Sequence, residues 1–288
     1  MTGCSLAGLR RRYAEMMTEP VSGADSRLRA AFAKVPREDF LGPPPWTLLG
    51  MGYRPMTTSD PAELYHDVLI SLDEAKGLNN GSPSLHALML HRLDVHTGDR
   101  VLHAGAGGGY YSALLAELAG PTGTVAAVEY DPKLAAMAEE NLRAWPRVRV
   151  LCGDGAAFPA ATVERIYVNF AVADPADAWL DHLAVGGRLV FPLAVPHPRA
   201  HGYDQRHSAR GALLVVTRTS TGYAAAFDTQ VAFVFAEGAT AGDPAMREAL
   251  YEAFGRGGLD TVHSLHRGPG PAGRTWFSSP RFSLAMDP

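Results

Sequence analysis

The chain has 288 residues, 47% of them hydrophobic, and a formal net charge of −4. That suits a globular protein burying a real core, either as one large α/β domain with extensions or as two small domains. Lys and Arg are scattered, apart from Arg10-Arg11-Arg12, which reads as a solvated helix face; with no basic stripe to meet phosphates, no nucleic-acid partner is expected.

In chain order, residues 5–34 read as helical. Leu6, Leu9, Tyr13 and Met16-Met17 share one face, and Leu28, Ala31 and Phe32 another. Val35–Leu41 breaks the pattern, and Pro43-Pro44-Pro45 makes a rigid connector. Residues 46–82 look loop-rich around one apolar segment, Val68–Leu72. Helical spacing resumes at Pro83 with Leu85, Leu88, Met89 and Leu93, and Asp94–Asp99 is a polar turn.

From Arg100 strands and helices alternate, which marks an α/β sheet. The expected elements are strand Val101–Ala104, helix Tyr110–Leu118, strand Val125–Glu129, helix Pro132–Arg143 and strand Val148–Cys152. Strand Ile166–Phe170, helix Ala176–Leu183 and strand Arg188–Leu193 follow. Residues 196–210 form a polar excursion carrying His197, His201 and His207; no Cys or carboxylate cluster completes a site there, so no metal is expected. Ala212–Thr217 and Tyr223–Phe235 read as strands, 243–256 as a last helix, and Thr275–Leu284 as a final strand or arm.

Of two cysteines, Cys4 and Cys152, neither disulfide framework nor zinc spacing arises, and Cys152 is expected to be a buried thiol. No apolar run approaches the length of a membrane span. Arg residues near the N-terminus have no apolar stretch behind them, so no secretory signal and a cytoplasmic protein are expected. The expected division is 1–82 as a capping region over the substrate, 83–240 as the cofactor-binding domain, and 241–288 as a helix and arm.

The chemistry concentrates in Val101–Tyr110, where a strand runs into Gly105-Ala106-Gly107-Gly108-Gly109 and opens a helix. Glycines let the backbone turn sharply and approach a ligand with no Cβ in the way. A dinucleotide fold wants G-x-G-x-x-G, which would place glycine where Tyr110 stands. The G-x-G-x-G actually present suits a cofactor without phosphate there, S-adenosyl-L-methionine, leaving as S-adenosyl-L-homocysteine. Gly105, Gly107, Gly109 and Tyr110 are the expected cradle. Glu129, at the tip of the next strand, is placed to accept ribose hydroxyls, Asp154 and Gly155 to meet the adenine, and Asn169 to lie near the reactive methyl.

These residues resemble the protein-L-isoaspartate O-methyltransferase family, and the likeness spans about residues 26–195. Val35-Pro36-Arg37-Glu38-Asp39-Phe40-Leu41 is similar to its "VPRExFL" segment, and Tyr65-His66-Asp67 to its "YxDxP" segment. Gly153-Asp154-Gly155 and Gly186-Gly187-Arg188-Leu189-Val190 also follow the family pattern. The resemblance implies a Rossmann-like, doubly wound fold with a mostly parallel sheet and an antiparallel terminal strand, and use of S-adenosylmethionine. It also implies a loop resembling "GQTISQP", whose Ser lies by the substrate carboxylate. Here that loop is Gly77–Pro83, with Gly81 in the place of the Ser and Ser82 next to it; His103 replaces the motif glutamate of the first strand.

Loss of the Ser points to a changed acceptor. Tyr65, His66 and Asp67 could form a base and its orienting carboxylate, with Asn80 as a further catalytic candidate and Asn79 and Ser82 as substrate contacts. That leads to a small-molecule methyltransferase of specialised metabolism, with C-methylation at indole C3 or N-methylation of an electron-rich heterocycle as the favoured chemistry. The alternatives are a carboxyl O-methyltransferase on an isoaspartyl protein or modified peptide, and a non-catalytic S-adenosylmethionine-binding module. His86 reads as a packed helix residue. No membrane partner is expected; the N-terminal helices and the tail, with Trp276, Phe277 and Phe282, are expected either to cap the site or to form the contact of a homodimer.

Overall fold

The computed structural model describes residues 5–49, 55–201, 206–271 and 273–287. Cys4 lies outside them. The chain divides into two compact units, Met1–Gly153 and Asp154–Pro288.

The first unit opens with α1 (Leu6–Thr18) and α2 (Ser26–Lys34). The expected helical stretch is thus split, because Pro20 has no N–H to donate and Gly23 turns the chain at φ +77°. The Ser5 hydroxyl and the Asp25 carboxylate cap the two starts, accepting from the Gly8 and Arg27 N–H groups at 3.2 and 2.8 Å. Their inward faces bury Tyr13, Met17, Leu28 and Phe32.

Residues 46–79 correct the loop-rich expectation. Among the described residues they hold four short strands, β1 (Trp46–Leu49), β2 (Met56–Thr58), β3 (Leu69–Asp73) and β4 (Leu78–Asn79), in an antiparallel sheet of order β2-β1-β3-β4. Strands this short carry too few residues for alternation to be visible, and they pack a small core of Trp46, Leu48, Leu64 and Ile70. Helix α3 (Pro83–Leu93) follows, with Ser82 as its N-cap and Asp94 in the left-handed conformation at its end.

The larger sheet of this unit is parallel: β5 (Arg100–Ala104), β6 (Thr124–Glu129) and β7 (Val148–Cys152), in that order, linked by α4 (Tyr110–Ala119) and α5 (Pro132–Asn141). Val101, Leu102 and Ala104 of β5 are all buried, as in a parallel strand covered on both faces. β7 is an edge strand whose residues are half-buried or exposed. That corrects the expectation for Cys152, whose thiol is exposed at the end of that edge.

The second unit contains β8 (Val163–Val168), α6 (Asp177–Asp181), β9 (Leu183–Val195), β10 (Arg210–Arg218), β11 (Tyr223–Gln230), α7 (Pro244–Arg256), β12 (Ser264–Arg267), β13 (Thr275–Ser278) and β14 (Phe282–Ala285). Its sheet runs β13-β14-β12-β11-β10-β9-β8. β8 and β9 are parallel, and every pairing beyond β9 is antiparallel. The antiparallel part therefore extends well past one terminal strand, because the expected final arm is a hairpin and β12 inserts beside it. An aromatic cluster of Phe227, Phe254, Trp276 and Phe277 packs α7 on this extension. The architecture is the expected Rossmann-like α/β fold with a mixed sheet. Among the described residues no helix is long and apolar enough to cross a membrane.

Candidate active site

The glycine turn after β5 is shaped by backbone geometry. Gly105, Gly107 and Gly109 all have positive φ, at 82°, 55° and 94°. The Gly105 and Ala106 N–H groups both donate to the Val128 carbonyl of β6, at 2.9 and 3.1 Å. A Cβ on Gly109 would stand 2.8 Å from Leu142 Cδ1. Gly108, which the spacing treated as a variable position, is as constrained as the others: a Cβ there would overlap the Phe40 carbonyl oxygen. The Asn141 amide secures this point by donating to the Gly108 carbonyl at 2.9 Å. The signal that could have found Gly108 was the unbroken Gly107-Gly108-Gly109 run.

Glu129 closes the cradle. One carboxylate oxygen accepts the Gly107 N–H at 2.7 Å and the other the Asp131 N–H at 2.9 Å. Burial pushes its carboxyl above the ordinary value, against the pull of those backbone donors. Each carboxylate oxygen has a further lone pair, so the pair fits two ligand hydroxyls. Asp131 caps α5 by accepting the Lys133 and Leu134 N–H groups at 2.8 and 3.1 Å, and it is also paired with Lys76. Leu72 of β3 lies over the turn, its Cδ1 3.2 Å from where a Gly107 Cβ would be. The β3–β4 hairpin, unrecognised in the sequence, therefore reaches the cradle at both Leu72 and Lys76.

The expectation for Tyr110 is narrowed to its backbone: its ring turns into the core, edge-on to Phe32, Phe40 and Tyr111. His103, in the place of the motif glutamate, is fully buried, with Nδ1 2.7 Å from the Ser112 hydroxyl. Desolvation pushes it down to about 3, so it is a neutral ring.

The other first-unit residues fall into two groups. Tyr65 is buried, and its hydroxyl donates to Glu38 while accepting from Arg10 Nε at 3.1 Å and the Arg37 N–H at 3.3 Å. Burial, reinforced by the Glu38 carboxylate, raises its phenol far above the ordinary value. Arg37, itself buried, donates to the carbonyls of Leu64, His66 and Val68. The two segments singled out in the sequence, 35–41 and 65–67, are thus fastened to each other. His66 is exposed and contributes its carbonyl to this fastening.

Asp67, Asn79, Asn80 and Ser82 gather around the start of α3. Asp67 accepts from the Ser82 hydroxyl at 2.9 Å and the Ser84 N–H at 3.1 Å. The Asn80 side chain accepts the Ile70 N–H at 2.7 Å while its own N–H donates to the Ile70 carbonyl at 3.0 Å. The Asn79 side chain accepts the Gly81 N–H at 2.9 Å. These are structural bonds, and they correct the base reading: Tyr65 is held protonated and Asp67 orients serines, not an imidazole.

In the second unit, Asp154 accepts the Ala156 N–H at 2.8 Å and is half-buried. The buried Gly155 gives its carbonyl to Trp179 Nε1 at 2.9 Å. Asn169 follows the last residue of β8 and is half-buried. Just beyond it, Ala171–Asp174 pairs with a segment after β11: the Ala171 N–H donates to the Val234 carbonyl at 2.8 Å and the Ala173 N–H to that of Thr240 at 2.9 Å. A Cβ on Gly238 would be 3.4 Å from an Asp154 oxygen. The strand expected over Tyr223–Phe235 therefore ends at Gln230, where this segment begins. His197 packs on Tyr251, and among the described residues no group of three metal-ligating side chains forms.

A glycine turn after the first parallel strand, with a carboxylate at the tip of the second, defines an S-adenosylmethionine-dependent methyltransferase. Residues 16–221 match the family model described as Protein-L-isoaspartate(D-aspartate) O-methyltransferase, and the chain belongs to that family. A protein-L-isoaspartate O-methyltransferase of Aeropyrum pernix is 37% identical over 193 residues, covering 65% of this chain and 67% of that protein. One of Methanopyrus kandleri is 34% identical over 177 residues, covering 60% and 71%. A solved protein-L-isoaspartate O-methyltransferase superposes with a TM-score of 0.65 at 19% identity, covering 97% of this chain and 88% of that one. A Plasmodium falciparum structure titled as a putative member, in complex with S-adenosyl-L-homocysteine, gives 0.61 at 16%, covering 79% and 98%.

The chain is therefore an enzyme that uses S-adenosylmethionine. The family match and these relatives overturn the expectation of small-molecule C- or N-methylation in specialised metabolism, the indole acceptor included.

Proposed function

We propose that this chain transfers a methyl group to a carboxylate, that of an isoaspartyl residue in a protein or peptide. The observation that carries it is the state of Tyr65, whose hydroxyl is committed to Glu38, Arg10 and Arg37. A carboxylate acceptor is already ionised near neutral pH, so it needs orientation and no base. When bound, S-adenosylmethionine supplies an electrophilic methyl on a sulfonium. Gly105, Gly107 and Gly109 would let backbone approach it, and Glu129 would accept its ribose hydroxyls. On sequence grounds alone, Asp154, Gly155 and Asn169 stay proposed as cofactor contacts, and Asn79 and Ser82 as acceptor contacts.

The test offers labelled S-adenosylmethionine with an isoaspartyl peptide and its aspartyl twin. Label that enters only the isoaspartyl peptide and leaves in mild base, as a methyl ester does, is the expected result. No label on that peptide, or label that survives base, would end this reading.

A further inference from the structure

We propose that His86 is a positioning residue for the acceptor: its ring fills the space that any side chain at position 81 would need, and so fixes the turn from Asn79 to Ser82. This rests on the isoaspartyl reading, which places that turn at the acceptor.

The geometry is specific. Gly81 has φ +76°, and a Cβ built on it would overlap His86 Nε2 and stand 3.3 Å from Cε1. Position 81 thus excludes an L side chain twice, by backbone conformation and by occupied space. His86 is wholly buried on α3, one turn beyond Gly81. Its ring stacks on Tyr111, with centroids 3.7 Å apart and planes 15° off parallel. Tyr111 is the second residue of α4, the helix that opens from the glycine turn. A continuous packed path therefore runs from the cofactor cradle through Tyr111 and His86 to Gly81.

The turn is clamped from its other side as well. Asn80 pairs with Ile70 of β3 through side chain and backbone, and Asn79 accepts the Gly81 N–H. Ser82 is tied to Asp67. Between the asparagine clamp and the imidazole, the backbone at 81 has one place to be, and that place is registered to the helix that opens from the glycine turn. In-line transfer depends on such registration, since a displacement near 1 Å can cost on the order of 100-fold. A stacked imidazole abutting a bare backbone thus does from beneath the turn what a side chain on the turn would do from within it.

The experiment compares wild type with His86→Phe, His86→Ala, Gly81→Ser and the double variant Gly81→Ser/His86→Ala. S-adenosylhomocysteine affinity is read by calorimetry, and kcat and KM are read with an isoaspartyl peptide. His86→Ala should lower kcat/KM by about 10-fold or more while cofactor affinity stays within about 2-fold. His86→Phe, which keeps a stacked ring, should stay within about 3-fold of wild type. Gly81→Ser should lose at least about 10-fold, and adding His86→Ala should restore part of that loss because the overlap is gone.

A folded His86→Ala enzyme with wild-type kcat/KM would overturn the proposal. So would losses in the double variant that simply multiply. Should His86→Ala fail to fold, a loss of about 10-fold or more in His86→Phe would overturn it equally, since the ring would not be the operative feature. A wild type that leaves the isoaspartyl peptide unlabelled overturns the functional reading and this inference with it; an active wild type with indifferent variants overturns this inference alone.

Discussion

The glycine turn and the Tyr65–Ser82 region are both rich in residues that suggest chemistry, yet the structure uses them in opposite ways. At Gly105, Gly107, Gly108 and Gly109 there are no side chains, and the proposed cofactor cradle is backbone fastened to Glu129. At Tyr65–Ser82 the side chains are present and polar, but most turn inward: Tyr65 to Glu38, Asn80 to Ile70, Asp67 to two serines. A tyrosine, a histidine and an aspartate in a row thus form a fastening: the Tyr65 hydroxyl goes to Glu38, the His66 carbonyl accepts from Arg37, and the Asp67 carboxylate accepts from Ser82 and Ser84.

The comparison breaks most sharply at Gly108. A methyl group there has nowhere to go but into the Phe40 carbonyl, so Gly108→Ala should destabilise by about 3 kcal/mol. Thermal unfolding checks this, and an unchanged midpoint would show that the turn yields easily. Glu129→Ala should leave the fold intact and weaken cofactor binding by about 1.5–3 kcal/mol, read by calorimetry. Since burial holds the Glu129 carboxyl above its ordinary value of 4.5, the wild-type affinity should begin to fall, as pH drops, at a pH above that of an exposed glutamate.

The buried histidines sharpen the picture by pH. His86 and His103 are held neutral in the fold, His103 down to about 3, whereas in the unfolded chain they bind protons near 6.5. The unfolded state therefore takes up more protons below 6.5, and stability should decline as pH falls from there, by up to about 1.4 kcal/mol per pH unit for each ring. Denaturant unfolding between pH 7.5 and 5.5 would show it, and a flat profile would mean that the rings protonate within the fold. The smallest effect is Tyr65→Phe. Removing the hydroxyl should cost about 1 kcal/mol of stability. It should change kcat only a few-fold, whereas loss of a true base would cost roughly 10²–10⁴-fold.

The cofactor half was legible because its signals are local. Strand, glycine turn, helix and a carboxylate at the next strand tip lie within 30 residues, and the boundaries of β5 to β7 fall within a residue or so of those expected. The N-terminal sheet was not legible, since its strands are only two to five residues long and gain their partners from the fold. The acceptor segment misled for the opposite reason: its residue types were informative, but their hydrogen-bond partners, Glu38 and Ile70, lie 27 and 10 residues away.

By itself the sequence determined the α/β order of the chain, the glycine turn after the first parallel strand and the carboxylate at the tip of the second, because parallel strands and tight turns restrict which residues can stand where. Only the tertiary structure decided what the polar side chains do. It put Tyr65 into a buried bond with Glu38, turned Tyr110 into the core, and set the His86 ring against the bare backbone of Gly81. A side chain's role depends on whether its polar atoms are satisfied and whether its neighbours leave room for a ligand, and both are settled by contacts between segments distant in sequence.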